Sequence, residues 1–144
     1  MILVKIFQAG INLKEFSKEL EEKMLQRFVD ALADYAMQAM KEAAPKRTGR
    51  LVQSIQKHVG RLSAQVGTDV EYAIYVEFGT RPHEIRPVHA RALRFEVDGR
   101  IVFAARVWHP GTIPHPFVHV AADETLNAAE EIWRNVWSEE VERE

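Results

Sequence analysis

The chain contains no cysteine. That absence removes disulfides, thiolate metal sites and cysteine nucleophiles together. No apolar run approaches the ~20 residues that a membrane-spanning helix needs, so no membrane partner is expected. The opening, Met1 to Phe7, is apolar but too short for a signal peptide, and it lacks a basic leader. Residues Ile2 to Gln8 read instead as a first strand, β-branched or aromatic at Ile2, Val4, Ile6 and Phe7. No repeat, low-complexity tract or linker divides the 144 residues, so a single domain over residues 1–144 is expected. A strong net charge is missing too. The balance is −2, whereas a duplex DNA binder is usually basic overall.

What is present is ordinary for a globular domain that buries a core without metal or disulfide. The charge is unevenly spread. Residues 1–44 carry −1, residues 45–114 carry +5, and residues 115–144 carry −6. A basic middle and an acidic end suggest complementary surfaces, or simply solvated helix faces.

Asn12 suits an N-cap, and Glu15 stands three residues on, as a capping box requires. Apolar residues then recur in steps of three and four, at Leu13, Phe16, Leu20, Met24, Phe28, Leu32, Tyr35 and Ala39. Pro45 disfavours helix at Ala44, so one helix of roughly 30 residues, about 45 Å long, is expected to end there. Its second half is alanine-rich, which permits close approach to a neighbour.

Thr48 is placed to cap a short helix, Gly49 to Ser54. Alternation over Ser54–Val59 and Ser63–Thr68 reads as a strand pair about Gly60-Arg61. Tyr72 to Phe78 fits either a strand or one to two helical turns. The helical reading is preferred, with Asp69 as its cap and Gly79 as its C-terminal stop. Arg81 to Pro87 reads as a loop. Arg91 to Val107 reads as a hairpin with a two-residue Asp98-Gly99 turn, pairing Phe95 with Val102 and Leu93 with Ala104. Its other face carries Arg94, Glu96, Ile101 and Phe103. Either a helix covers Ile101 and Phe103, or they form an interface. Pro116 suits the first turn of a closing helix with an apolar stripe of Phe117, Ala121, Leu126, Ala129, Ile132, Trp133, Val136 and Trp137. Its acidic last turn has the wrong sign for the helix dipole and is expected to fray. The fold class is therefore α+β: a long N-terminal helix packed on a small antiparallel sheet with a hairpin, plus a C-terminal helix.

Three kinds of chemistry compete. Five of the six histidines, His83, His89, His109, His115 and His119, fall within residues 83–119. His115 and His119 have the four-residue spacing of a zinc pair, which would suit a small metal-dependent hydrolase. No H-E-x-x-H arrangement supplies a base, and Pro116 places His115 at or before the helix start. Glu77 stands in a segment expected to be buried, where Arg50 or Arg81 can pair with it. No G-x-S-x-G elbow, phosphate-binding loop or dinucleotide fingerprint is present. Lys46, Arg47, Arg50, Lys57 and Arg61 form a basic run without acids, which can touch a phosphate backbone or an acidic protein. No aromatics interleave it for base stacking. The residues themselves describe a binding or structural domain, with no catalytic, cofactor or metal site assigned.

At three places the chain resembles a known family. Ala44-Pro-Lys-Arg-Thr-Gly-Arg-Leu-Val-Gln-Ser-Ile55 is similar to its P-x-x-T-G-x-L-x-x-S-I signature, through Pro45, Thr48, Gly49, Leu51 and Ser54. Tyr72-Ala-Ile-Tyr-Val-Glu-Phe-Gly-Thr80 is similar to its Y-A-x-Y-V-E-F-G-T signature, through Tyr72, Tyr75, Glu77, Phe78, Gly79 and Thr80. His115-Pro-Phe-Val-His-Val-Ala121 is similar to its P-F-x-x-x-A closing motif, through Pro116 and Phe117. The family is the head–tail joining, or tail-completion, proteins of long-tailed phages, the gene-product-ten-like group of HK-type phages.

The resemblance implies a non-enzymatic virion protein of a phage or prophage, without cofactor, at the neck or head-proximal tail. It implies a homo-oligomeric ring, sixfold in the virion, that bridges connector and tail tube, with the host cytoplasm as the place of assembly. Nothing about partner choice transfers to the Arg81–Ala90 loop or the Asp98-Gly99 hairpin, which vary among such proteins. On this reading Tyr72, Tyr75 and Phe78 are core that braces the long helix. Lys46, Arg47 and Arg50 contact DNA weakly in the channel. The basic middle of one subunit faces Glu130, Glu131 and Glu139 of the next.

Overall fold

The structure is a computed structural model that describes residues 13–142. The expected strand at Ile2–Gln8 and the Asn12–Glu15 capping box lie outside its described residues or side chains. The described chain forms two compact units, one of residues up to Val70 and from Phe117 onward, the other of Glu71–Pro116.

The first unit is built on two long helices, α1 (Leu13–Ala43) and α4 (Phe117–Val141). α1 stops where Pro45 dictates. The Ala44 amide still donates to the Met40 carbonyl at 3.0 Å, and no further amide continues the ladder. The two helices pack together. Met24, Ala33, Ala39 and Met40 of α1 and Phe117, Ala121 and Val136 of α4 are buried, and Phe28 meets Trp133 edge-to-face at 5.2 Å. Three expected core positions depart from their stripes: Tyr35, Leu126 and Trp137 are exposed, Leu126 by 74%.

The acidic end is tied to α1 as far as Glu140. Glu140 is buried and accepts hydrogen bonds from Lys23 and Arg27, while Arg27 Nη2 also meets Glu139 Oε2 at 2.7 Å. Cations from α1 thus compensate a charge that the helix dipole alone disfavours.

Between the helices in sequence lie α2 (Arg50–Ser54), β1 (Gln56–Gly60) and β2 (Ser63–Gly67). The β1–β2 hairpin packs on α1. Its turn falls one residue later than expected. Gly60 still pairs with Ser63, and Arg61-Leu62 make the reversal, with Leu62 at φ 56°. A leucine rarely takes this conformation. Here α1 holds it. Gln26 Oε1 accepts from the Leu62 amide at 3.0 Å, Gln26 Nε2 donates to the Gly60 carbonyl at 3.2 Å, and Arg61 reaches Glu22 at 2.8 Å.

The second unit contains α3 (Ala73–Phe78), β3 (His83–Ile85), β4 (Leu93–Val97), β5 (Arg100–Ala104) and β6 (Val107–His109). The helical reading of Tyr72–Phe78 holds, but Tyr72 rather than Asp69 occupies the cap position and no side chain caps it. The β4–β5 hairpin has the expected register, Phe95 opposite Val102 and Leu93 opposite Ala104. Asp98 (φ 50°) and Gly99 (φ 76°) make its turn, both left-handed as the twist of the strands demands.

The expected loop at Arg81–Pro87 is corrected, because it contains β3, paired antiparallel with β6. Pro82 and Pro87 flank this three-residue strand without interrupting it. The fold is α+β, with its strands in three separate antiparallel pairs.

Candidate interaction surface

The first motif is a corner between α1 and β1. Pro45 ends the helix, and Leu51 is buried. Gly49 takes φ 74°, which suits glycine. Its carbonyl accepts from the Gln53 amide at 2.9 Å. Thr48 is not the expected cap. Its Oγ1 accepts weakly from the Arg50 amide at 3.4 Å, a local turn contact two residues on. Ser54 Oγ donates to the Leu51 carbonyl at 2.7 Å and lies 2.6 Å from Thr68 Oγ1. Ser54, His58 and Asp69 line one cavity of about 330 Å³ and superficially suggest a triad. The Ser54 hydroxyl is committed to Leu51 and Thr68, so nothing aims it at the imidazole.

The second motif overturns an expectation. α3 buries Ala73 and Glu77, four residues apart on one face. Its other face presents Ile74, Tyr75 and Phe78, exposed by 58%, 59% and 69%, and Tyr72 beside them is also exposed. These aromatics are surface, not core. The helix is inverted, with a small residue and a carboxylate inside and the large apolar groups outside. Apolar residues fill so much of this stretch that periodicity could not select a face. Glu77 is buried, as the sequence suggested.

Gly79 and Gly111 anchor the end of the motif. Thr80 and Thr112 exchange backbone hydrogen bonds at 3.1 Å each way. A Cβ on Gly79 (φ 71°) would lie 2.4 Å from the Thr112 carbonyl oxygen, and one on Gly111 (φ 87°) would lie 2.3 Å from that of Thr80. The His115 amide, just before the closing motif, donates to the Val76 carbonyl at 2.7 Å, satisfying an α3 end that would otherwise lack a partner. Pro116 precedes α4, and Phe117 opens it fully buried.

The second hairpin face stands exposed. Ile101 and Phe103 are 54% and 66% exposed, beside exposed Arg94 and Glu96. Trp108, Val88 and Ile113 add to the exposed apolar surface of this unit. The first unit instead offers a concavity. An apolar groove of about 570 Å³ runs between α1, the β1–β2 hairpin and α4, with Val29, Leu32, Ala36, Met40, Val66 and Leu126 among its walls.

The charged candidates divide. Lys46, Arg47 and Arg50 are exposed, whereas Lys57 pairs with Asp34 and Arg61 with Glu22. Glu139 is held by Arg27 and Glu130 by Arg134 one turn away, while Glu131 is exposed.

The histidines do not converge on a metal centre. Among the described residues no group of three or more His, Asp or Glu side chains is arranged to hold an ion. His83 and His109, opposite each other on β3 and β6, stack at 5.1 Å. Their local bonds fix different tautomers. His83 Nδ1 lies 2.7 Å from the Arg81 carbonyl and so carries the proton. His109 Nδ1 accepts from the Gly111 amide at 3.0 Å, so its proton sits on Nε2. Only His83 Nε2 then presents a lone pair, too little for a chelate. Among the described residues no helix is long and apolar enough to cross a membrane.

Among the described residues, uncovered apolar area is the distinctive feature of this α+β protein. The model of the HK97-gp10-like family, described as "Bacteriophage HK97-gp10, putative tail-component", matches residues 8–79. The chain belongs to this family. The match includes the first motif and all of the second but Thr80, ending at Gly79, just past α3. Neither a curated protein nor a solved structure matches the chain significantly.

Proposed function

We propose that the chain is a structural, non-enzymatic component of a phage tail. It assembles with copies of itself into a ring, sixfold in the virion, that joins connector to tail tube at the head–tail junction. It reaches that place from the host cytoplasm during assembly. The family match over residues 8–79 carries this reading. The exposed apolar residues of Glu71–Pro116 support it, because a surface of this kind calls for a protein partner.

Light scattering across a concentration series, with negative-stain images, tests it. Annular particles of several subunits are the expected outcome, and a strict monomer at every concentration counts against self-assembly. Two contacts belong to the same reading. Lys46, Arg47 and Arg50 face DNA in the channel, so neutralising all three lowers the salt slope of DNA retention. The basic middle of one subunit meets the acidic helix of the next, a head-to-tail contact that closes into a ring. Glu131→Lys is the clean probe of the second contact, because Glu139 already engages Arg27 within the chain.

A further inference from the structure

We propose that the exposed face of α3, Ile74, Tyr75 and Phe78, seats in the apolar groove between α1, β2 and α4 of a second copy of this chain. The inference rests on the self-assembly reading and names the surfaces that carry it.

The groove constrains its occupant chemically. None of its fourteen lining residues is charged, and its only side-chain polar groups are the hydroxyls of Ser63 and Thr125. A phosphate backbone or an acidic peptide would lose its hydration there without a compensating partner. Alanines at positions 33, 36, 121 and 122 let an incoming element approach the two helices closely. An apolar, protruding protein element of modest size fits these terms.

The chain carries such an element. α3 turns its three large apolar side chains outward and keeps its only carboxylate, Glu77, inside. The polarity of the two surfaces matches, and so does their scale. Two aromatics and an isoleucine, 58–69% exposed, bring roughly 300–450 Å² of burial, that fraction of about 150–250 Å² per aromatic. A stable interface needs about 800 Å² per partner. The exposed Ile101 and Phe103 face can supply the difference in the same assembly.

A second copy is favoured over another protein because the projection and the groove occur in one sequence, in different units. Each association of one copy's α3 with another's groove leaves one projection and one groove unused. Such a contact repeats until it closes on itself.

Because the chain has no cysteine, disulfide trapping is unambiguous. Phe78→Cys and Leu126→Cys proteins are made separately, mixed, and oxidised with glutathione disulfide. The expected product is a dimer joining one of each, about ten-fold above either variant alone, as effective concentration in a specific contact dictates. Tyr75→Glu, with unchanged circular dichroism, is expected to weaken self-association at least about ten-fold, because the contact buries its carboxylate.

Annular particles without the mixed disulfide, or with Phe78→Cys joined to itself, overturn this contact and leave the ring standing. Unchanged assembly of Tyr75→Glu does the same. A wild-type protein that stays monomeric overturns both. An Ile6→Cys, Leu126→Cys double variant that closes within one chain gives the groove to the chain's own first residues and also overturns the proposal.

Discussion

The two units of this chain satisfy their apolar residues in opposite ways. In the helical unit, Met24, Met40, Leu51, Ile55, Phe117 and Val136 are buried, and a pair of cations closes on Glu140 at its edge. In the unit of Glu71–Pro116, Ala73 is the only buried hydrophobic residue. Eleven of the twenty exposed large hydrophobic residues stand there, on about a third of the described chain. Paired glycines, short ladders and two tight turns hold its backbone in shape instead. The first unit is a scaffold with its own core. The second is a shaped surface whose apolar residues stand exposed.

The largest expected effect tests the scaffold. Phe117→Ala removes a side chain that is almost fully buried and should cost about 3–5 kcal/mol, read from the urea midpoint. Phe78→Ala removes the same atoms from the surface and should change the monomer by no more than about 0.5 kcal/mol. Equal losses from the two would erase the contrast. Gly79→Ala should come next, at about 2 kcal/mol, because φ 71° and the Thr112 carbonyl leave no room for a Cβ. The loss should be local, seen as faster hydrogen exchange at the Thr80 and Thr112 amides, with the α1–α4 pair unaffected.

The ionic edge of the helical unit gives a pH signature. The hydrogen bond from Lys23 holds the Glu140 carboxyl below its ordinary value, the charges of Lys23 and Arg27 add to this, and burial opposes it. A lowered folded-state value means stability that is fully present above the unfolded value and lost as pH falls through the folded one. Wild type should therefore lose stability in acid through this group. Glu140→Gln should be less stable at neutral pH and should converge with wild type below the carboxylate range. Parallel curves for the two proteins would show that the clasp contributes nothing.

Much of the architecture was legible because its causes are local. Pro45 had to stop α1, and Asp98-Gly99 had to reverse a hairpin in the register observed. The Arg61-Leu62 turn was misplaced because its cause is not local. Gln26 and Glu22, more than thirty residues earlier, hold a leucine in a glycine-like conformation. The pinned end of α4 was missed for the same reason, since Lys23 and Arg27 are remote in sequence. The faces of α3 were illegible in another way. Tyr72, Ile74, Tyr75, Val76 and Phe78 are all apolar or aromatic, so no period distinguishes in from out. Sequence reasoning then assigned burial by residue type. That default fails on α3, where the large apolar residues are exposed. The one signal that marked the outward face was Glu77, a carboxylate whose burial turns Ile74 and Phe78 away from it.

The smallest expected effect probes the hairpin. Phe103 lies opposite Arg94, and Ile101 opposite Glu96, on an exposed face. Phe103→Ser and Ile101→Thr replace exposed apolar groups by polar ones that a strand accepts. Each should shift the urea midpoint of dilute protein by less than about 0.5 kcal/mol. The combined variant should still alter concentration-dependent scattering, because the same side chains lose area only when a second molecule covers them. A loss of 2 kcal/mol or more in dilute protein would mean the face is buried within the monomer. Glu71–Pro116 would then be a second scaffold, with its own hidden core, and no longer a surface.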